Sequence, residues 1–153
     1  MNSTRGKILA IDHGSKRIGV ALSDETNTIA FGKEVIDNNS KCIDNIVDIV
    51  NSNNVAEIIL GYPLNLRGER TKQTFEVESF EKMLINKFTG SPVHQITIIR
   101  WDERLTSKMA KSSMLESGMK EKNRRIKSNL DIISATILLQ SYLDSKKRPT
   151  NNE

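Results

Sequence analysis

The chain has 153 residues, 37% of them hydrophobic and 27% charged, with 23 Lys and Arg against 19 Asp and Glu and a net charge of +4. That size and balance predict one globular domain with a real core, and the apolar runs fall far short of the ~18 residues that would cross a bilayer, so no membrane partner is expected. A single cysteine, Cys42, and two histidines, His13 and His94, exclude a disulfide framework and a zinc cluster; the opening MNSTRGK lacks an apolar signal core, so a cytoplasmic protein is expected.

Residues 8 to 24 read ILAIDHGSKRIGVALSD. Two short runs rich in Ile and Val, 8 to 11 and 18 to 22, flank a Gly and Ser turn carrying Lys16 and Arg17, the pattern of a tight hairpin. Asp12 closes the first run beside glycine backbone that a phosphate or metal can approach. Residues 28 to 36 read as a third strand, with Asp24 serving the turn before it. Ile43, Ile46, Val47 and Val50 recur at helical spacing, and Cys42 among them reads as a small buried hydrophobe. Residues 55 to 60, VAEIIL, form a buried strand ending at Gly61, Tyr62 and Pro63. A second helix places Phe75, Val77, Phe80, Met83 and Leu84 on its apolar side. Residues 96 to 101, ITIIRW, are a further strand followed by Asp102 and Glu103. Residues 106 to 117 are helical, with Gly118 as the stop. The final helix, 129 to 143, is apolar almost all round and should be well buried. A domain over 1 to 144 and a disordered tail over 145 to 153 are expected. Three hairpin-linked strands followed by alternating units imply an α/β fold: a five-stranded mixed sheet flanked by helices on both faces.

Three acids sit where an element ends or begins beside the core: Asp12 closes the first strand, Glu103 follows the last, and Asp131 opens the final helix. Carboxylates converging from separate elements are what two-metal phosphodiester hydrolysis needs, with the ions ~3.5–4 Å apart, and magnesium favours oxygen ligands. Plainer readings stand beside this one. Asp12 can be a solubilising strand end, Glu103 can pair with Arg104 on the surface, Asp102 can cap a turn, and Asp131, three residues after Ser128, can belong to a capping box. Around the acids, Lys16, Arg17, Arg104 and Thr106 are candidate phosphate contacts, and Asn65 lies in a Gly- and Pro-bounded loop at a strand end, where α/β sheets bind ligands. Those positions read equally as an exposed hairpin and a plain connection. Trp101 reads as core rather than as a stacking platform. Lys120, Lys122, Arg124, Arg125 and Lys127 fall within eight residues, a run that suits a phosphate-contacting loop or a solvated connector.

With these residues laid out, the chain resembles the YqgF/RuvX family, a bacterial branch of the ribonuclease-H-like superfamily related to Holliday-junction resolvases. The resemblance rests on IDHGSKRIGVALSD, GYPLNLRG, DERLTS and DIISATILLQSYL, in that order, from about Lys7 to Leu143. It implies a ribonuclease-H-like fold and a divalent-metal nuclease (Mg2+ or Mn2+, two ions) that matures the 5′ end of precursor 16S ribosomal RNA in ribosome biogenesis. It also implies that Asp12, Glu103 and Asp131 are both catalytic residues and metal ligands. Two positions depart from the family's pattern: His13 stands where an apolar or aromatic residue is common, and Ser134 where Ala is common. Related resolvases take a glutamate from the fourth strand, where this chain has Gly61 and Pro63.

Three other functions share parts of this pattern. A four-way DNA junction resolvase would need a dimer for two symmetric cuts. A catalytically silent nucleic-acid-binding module would need none of the acids. A phosphate-binding domain of the actin and sugar-kinase type would need a second domain to close on its nucleotide. The compact basic run beside Asp131 favours RNA tracked past one site over a junction, with a monomer or weak homodimer as the expected state.

Overall fold

The computed structural model describes residues 6–89, 95–105 and 124–147. The predicted run 106–118, the basic residues Lys120 and Lys122, and residues 148–153 of the predicted tail lie outside the described residues. Among the described residues, five strands and three helices follow in the order β1 (Lys7–His13), β2 (Arg17–Ser23), β3 (Ala30–Asp37), α1 (Cys42–Ser52), β4 (Val55–Tyr62), α2 (Lys72–Thr89), β5 (Thr97–Asp102) and α3 (Arg124–Lys146), with one 3-10 turn, Glu103–Leu105, after β5.

The sheet has the order β3-β2-β1-β4-β5. β1 runs antiparallel to β2, which runs antiparallel to β3, while β4 lies parallel to β1 and β5 parallel to β4. The expected mixed sheet is therefore present. Short turns make the β1–β2 and β2–β3 pairings antiparallel, and the two helical connections allow β1–β4 and β4–β5 to be parallel. Asp24 builds the β2–β3 turn as expected: its Oδ1 accepts the backbone N–H groups of Thr28 at 2.8 Å and Ile29 at 3.1 Å, and these bonds hold its carboxyl below the usual range.

The two faces carry separate cores. On one, Leu9, Ile11, Ile18, Val20, Ile58 and Leu60 meet residues of α1 and α2. On the other, Ile8, Ala10, Ala21 and Ile59 meet a stripe of α3 formed by Ala135, Leu138, Leu139, Tyr142 and Leu143. That stripe follows the i, i+3, i+4 spacing of a one-sided helix. The expectation of burial all round is thus corrected: α3 lies on the outside of a single layer, and neighbours such as Ile133 and Ile137 are only half-buried. The helix also continues to Lys146, three residues past its last apolar position.

A second correction concerns α2. Val77, Phe80 and Leu84 are buried, but Phe75 and Met83 are about half exposed. The buried face is instead completed by Thr74 and Phe88. Phe75 lies under the Arg70 guanidinium, 4.8 Å from its ring centre. Cys42 is buried in the α1/α2 core. Trp101 packs edge-on against Tyr142, centroids 5.2 Å apart, with its indole N–H donating to Ser141 Oγ at 3.3 Å, in agreement with a packing role.

Candidate active site

Strand alternation decides which way each functional side chain points. Along β1, Leu9 and Ile11 enter the α1/α2 core, and Ile8 and Ala10 the α3 core. Asp12 follows Ala10 onto the α3 face and is half-buried there. His13 falls on the opposite face, buried, with its ring 4.6 Å from that of Phe80. An apolar seat thus receives an imidazole, and burial pushes its pKa down. Asn38 Nδ2 lies 3.2 Å from His13 Nε2 and donates to Gly14 O at 2.8 Å, so Nε2 is the acceptor and Nδ1 carries the proton. Among the described residues Nδ1 has no hydrogen-bond partner.

Asp12 is flanked on both neighbouring strands by glycine. Its antiparallel partner is Gly19, and on the parallel side Gly61 continues the face of Ile59, which pairs with Ala10. A Cβ on Gly19 would stand 2.2 Å from the backbone oxygen of Asp131, so α3 lies directly on β2 at that point. A Cβ on Gly61 would stand 2.2 Å from Glu103 Oε2 and 3.0 Å from its Cδ. The Glu103 carboxylate therefore lies over the β4 backbone. Alternation explains why it is Glu103 and not Asp102 that reaches this face: Trp101 pairs with Gly61 on the α3 side, and Asp102 pairs with Tyr62 on the other.

All three predicted acids thus come to one end of one face, supplied by β1, the turn after β5, and α3. As their side chains are oriented, no group of three or more His, Cys, Asp or Glu among the described residues is closed enough to hold an ion. Arg17 Nε donates to Asp131 Oδ2 at 2.8 Å, with both side chains about one-third exposed. Helix α3 includes Arg124, two turns before Asp131, which removes the capping-box role for Asp131.

The predicted phosphate contacts fare differently. Lys16 is exposed at the hairpin tip, and Arg17 is engaged with Asp131. Arg104 does not pair with Glu103 as one reading expected. Its guanidinium grips Asp102 at 2.6–3.1 Å, and its backbone N–H donates to Asp102 Oδ1 at 2.9 Å. Asp102 therefore caps the turn, its carboxyl held low by Arg104. Asn65 organises its own loop: Oδ1 accepts the N–H groups of Arg67 and Glu69, both at 2.9 Å, and Nδ2 donates to Glu69 Oε1 at 3.0 Å. Arg124 and Arg125 form the first described turn of α3. Thr106 lies outside the described residues.

Sequence reasoning did not single out a polar cluster on the α2 side of β4 and β5. Tyr62 donates its hydroxyl to Glu78 at 2.5 Å, Arg70 bonds Glu78 at 2.9 Å, and Arg100 bonds Glu81 at 2.8 Å while lying 4.5 Å over the Tyr62 ring. These residues line a cavity of about 420 Å³. The hydrogen bond to Glu78 pushes the Tyr62 phenol up, and Arg70 pulls Glu78 down. Arg70 and Arg100 are each paired with a glutamate of α2, so the cluster ties α2 to β5 and to the loop before α2.

Residues 6–145 match the family model described as RuvX, Holliday junction resolvase. The chain belongs to the RuvX family. A relative from Bacteroides fragilis, named a candidate pre-16S rRNA nuclease, is 38% identical over 141 residues, spanning 92% of this chain and 98% of the relative. One of the same name from Ruminiclostridium cellulolyticum is 39% identical, spanning 90% and 94%. Among solved structures, fowlpox virus resolvase in complex with Holliday junction DNA superposes with a TM-score of 0.58 at 14% identity, covering 93% of this chain and 99% of that one. Thermus thermophilus RuvC in complex with a Holliday junction gives 0.57 at 10% identity, covering 94% and 98%. At such identities the likeness is one of fold, and it makes the RuvX chain ribonuclease-H-like in architecture.

Proposed function

We propose that this RuvX-family protein is a nuclease that hydrolyses RNA phosphodiester bonds with the help of divalent metal, maturing the 5′ end of precursor 16S ribosomal RNA. The observation that carries the reading is the supply of Asp12, Glu103 and Asp131 to one end of one sheet face by three separate elements. Relatives that bear the nuclease name match over nearly their whole length. No helix among the described residues is long and apolar enough to cross a membrane, and the proposed setting is the cytoplasm.

The donor set suits a hard cation: three carboxylates, with no thiolate among them, beside two glycines whose missing side chains admit α3 and the Glu103 carboxylate. Asp12, Glu103 and Asp131 would hold Mg2+ or Mn2+, two ions in the proposed arrangement. Bound metal would supply a Lewis acid for the phosphoryl oxygen and a water of lowered pKa. The chain's own residues position the substrate. Asp12 presents its carboxylate from the central strand, and Glu103 reaches across β4 to join it. Arg17 holds Asp131 through Nε, and Lys16 and Arg17 lie where the phosphates flanking the cut would pass. Arg124 and Arg125, with the basic run before them, track the backbone of a single strand toward Asp131. A single site of this kind works in a monomer or a weak homodimer.

The test is metal-dependent cleavage of a precursor 16S fragment against a four-way DNA junction, with Asp12→Asn as control. Expected is cleavage of the RNA with Mg2+ or Mn2+, lost in Asp12→Asn, which keeps its fold. Symmetric cutting of the junction with the RNA left intact would make the protein a resolvase. Binding of RNA without cleavage would make it a silent module.

A further inference from the structure

Gly61 stands at the end of a run of fully buried residues, Ile58, Ile59 and Leu60. Glycine weakens a strand, and inside one it marks a close approach. Here the approaching group is one flexible side chain. The three atoms nearest to a Cβ at Gly61 are Glu103 Oε2, Cδ and Cγ, at 2.2, 3.0 and 3.1 Å. At Gly19, on the other flank of Asp12, the nearest atoms are the backbone oxygen and carbon of Asp131, at 2.2 and 2.8 Å. The same absence of a side chain thus serves two purposes. Gly19 admits a helix, and Gly61 admits a carboxylate.

We infer that Gly61 is a positioning residue for Glu103: its bare backbone is the seat that lets a carboxylate from the turn after β5 stand over β4, beside Asp12. A methyl at residue 61 takes that place. Because the displaced atoms are the far end of a side chain, Glu103 swings out and the backbone stays where it is. Gly61→Ala then damages the acid site and spares the fold, whereas Gly19→Ala must move α3. The inference rests on Glu103 being a metal-holding residue, as proposed above.

The experiment uses the full chain and Mn2+ alone, with no nucleic acid. Wild type, Gly61→Ala, Glu103→Gln and the double variant are titrated with Mn2+ by calorimetry, and their melting temperatures are read in chelator. Gly61→Ala should melt in chelator at or above the wild-type temperature and bind Mn2+ roughly 10–100-fold more weakly, the loss seen when a group that orients a metal ligand is removed. Glu103→Gln should lose a similar factor, and the double variant should be no worse than either single one, because both act on one carboxylate. Wild-type Mn2+ affinity in Gly61→Ala, with affinity lost in Glu103→Gln, overturns the inference and leaves the acid site standing. A large fall in melting temperature in Gly61→Ala also overturns it, since the seat would then serve the backbone. Wild-type affinity in Glu103→Gln overturns the reading of the site itself.

Discussion

The two faces of the sheet are built to different standards. The α1/α2 face is filled with large side chains (Leu9, Ile11, Ile18, Ile58, Leu60, Phe80 and Leu84), almost all fully buried. The α3 face sets Ala10 and Ala21 among Ile8 and Ile59 and ends in Gly19 and Gly61 beside Asp12, so a helix can lie close to the strands and carboxylates can crowd that end. Large residues interlock and stabilise, and small ones leave space. Placing acids on the thinner face keeps their mutual repulsion and their need for water away from the core that holds the domain together.

Three substitutions test this division. The largest effect is expected from Phe80→Ala on the thick face, which should cost about 3–5 kcal/mol in chemical denaturation through the cavity left behind. A cost below that of Gly19→Ala would mean that the faces share the load. Gly19→Ala itself should cost about 1–3 kcal/mol, because a methyl against the Asp131 carbonyl overpacks the helix contact, and it should weaken activity as well by shifting Asp131. Unchanged stability there would break the claim that α3 lies directly on β2.

The smallest effect concerns pH. His13 is buried and its folded pKa lies below the ordinary value of 6.5, so the unfolded chain binds the proton more readily. Its contribution is fully present above pH 6.5 and is lost as pH falls below that value toward the folded pKa. His13→Phe, which fits the seat on Phe80, should flatten this acid-side loss when melting temperatures are compared across pH. An identical acid slope in both proteins would show that His13 is not buried as a neutral group.

Much of the scaffold is legible from spacing alone. The hairpin, the helix at Ile43 to Val50 and the strand at Val55 to Leu60 announce themselves because period and turn chemistry agree. Phe75 misleads because an apolar residue on a helix need not face the core when a neighbouring arginine covers its ring, and Met83 because single apolar side chains are common on surfaces. Asp12 and Glu103 are legible because each stands at a strand end, whereas Asp131 lies two turns inside α3 and not at its start. What escapes is how they are held. A bond from Arg17 to Asp131 spans 114 residues of chain, and no local pattern records it. Gly61 leaves a faint trace, a glycine directly after a buried strand run, which reads as the start of a loop until Glu103 is seen above it. The choice of Glu103 over Asp102 follows from carrying strand alternation two residues past the last apolar position, Trp101.

The site's most distant partner also sets when the site can exist. Asp12 and the hairpin emerge early in synthesis and Glu103 later, but Asp131 belongs to a helix that must dock back onto β1, β2 and β3. Contacts of that sequence separation form late, after the loop between them has been closed. A nascent chain that has exposed its first five strands carries two of the acids on an uncovered sheet face and lacks the third. On the proposed reading of the acids, a chain still being made lacks the third carboxylate, and the set is complete only when α3 settles over Gly19.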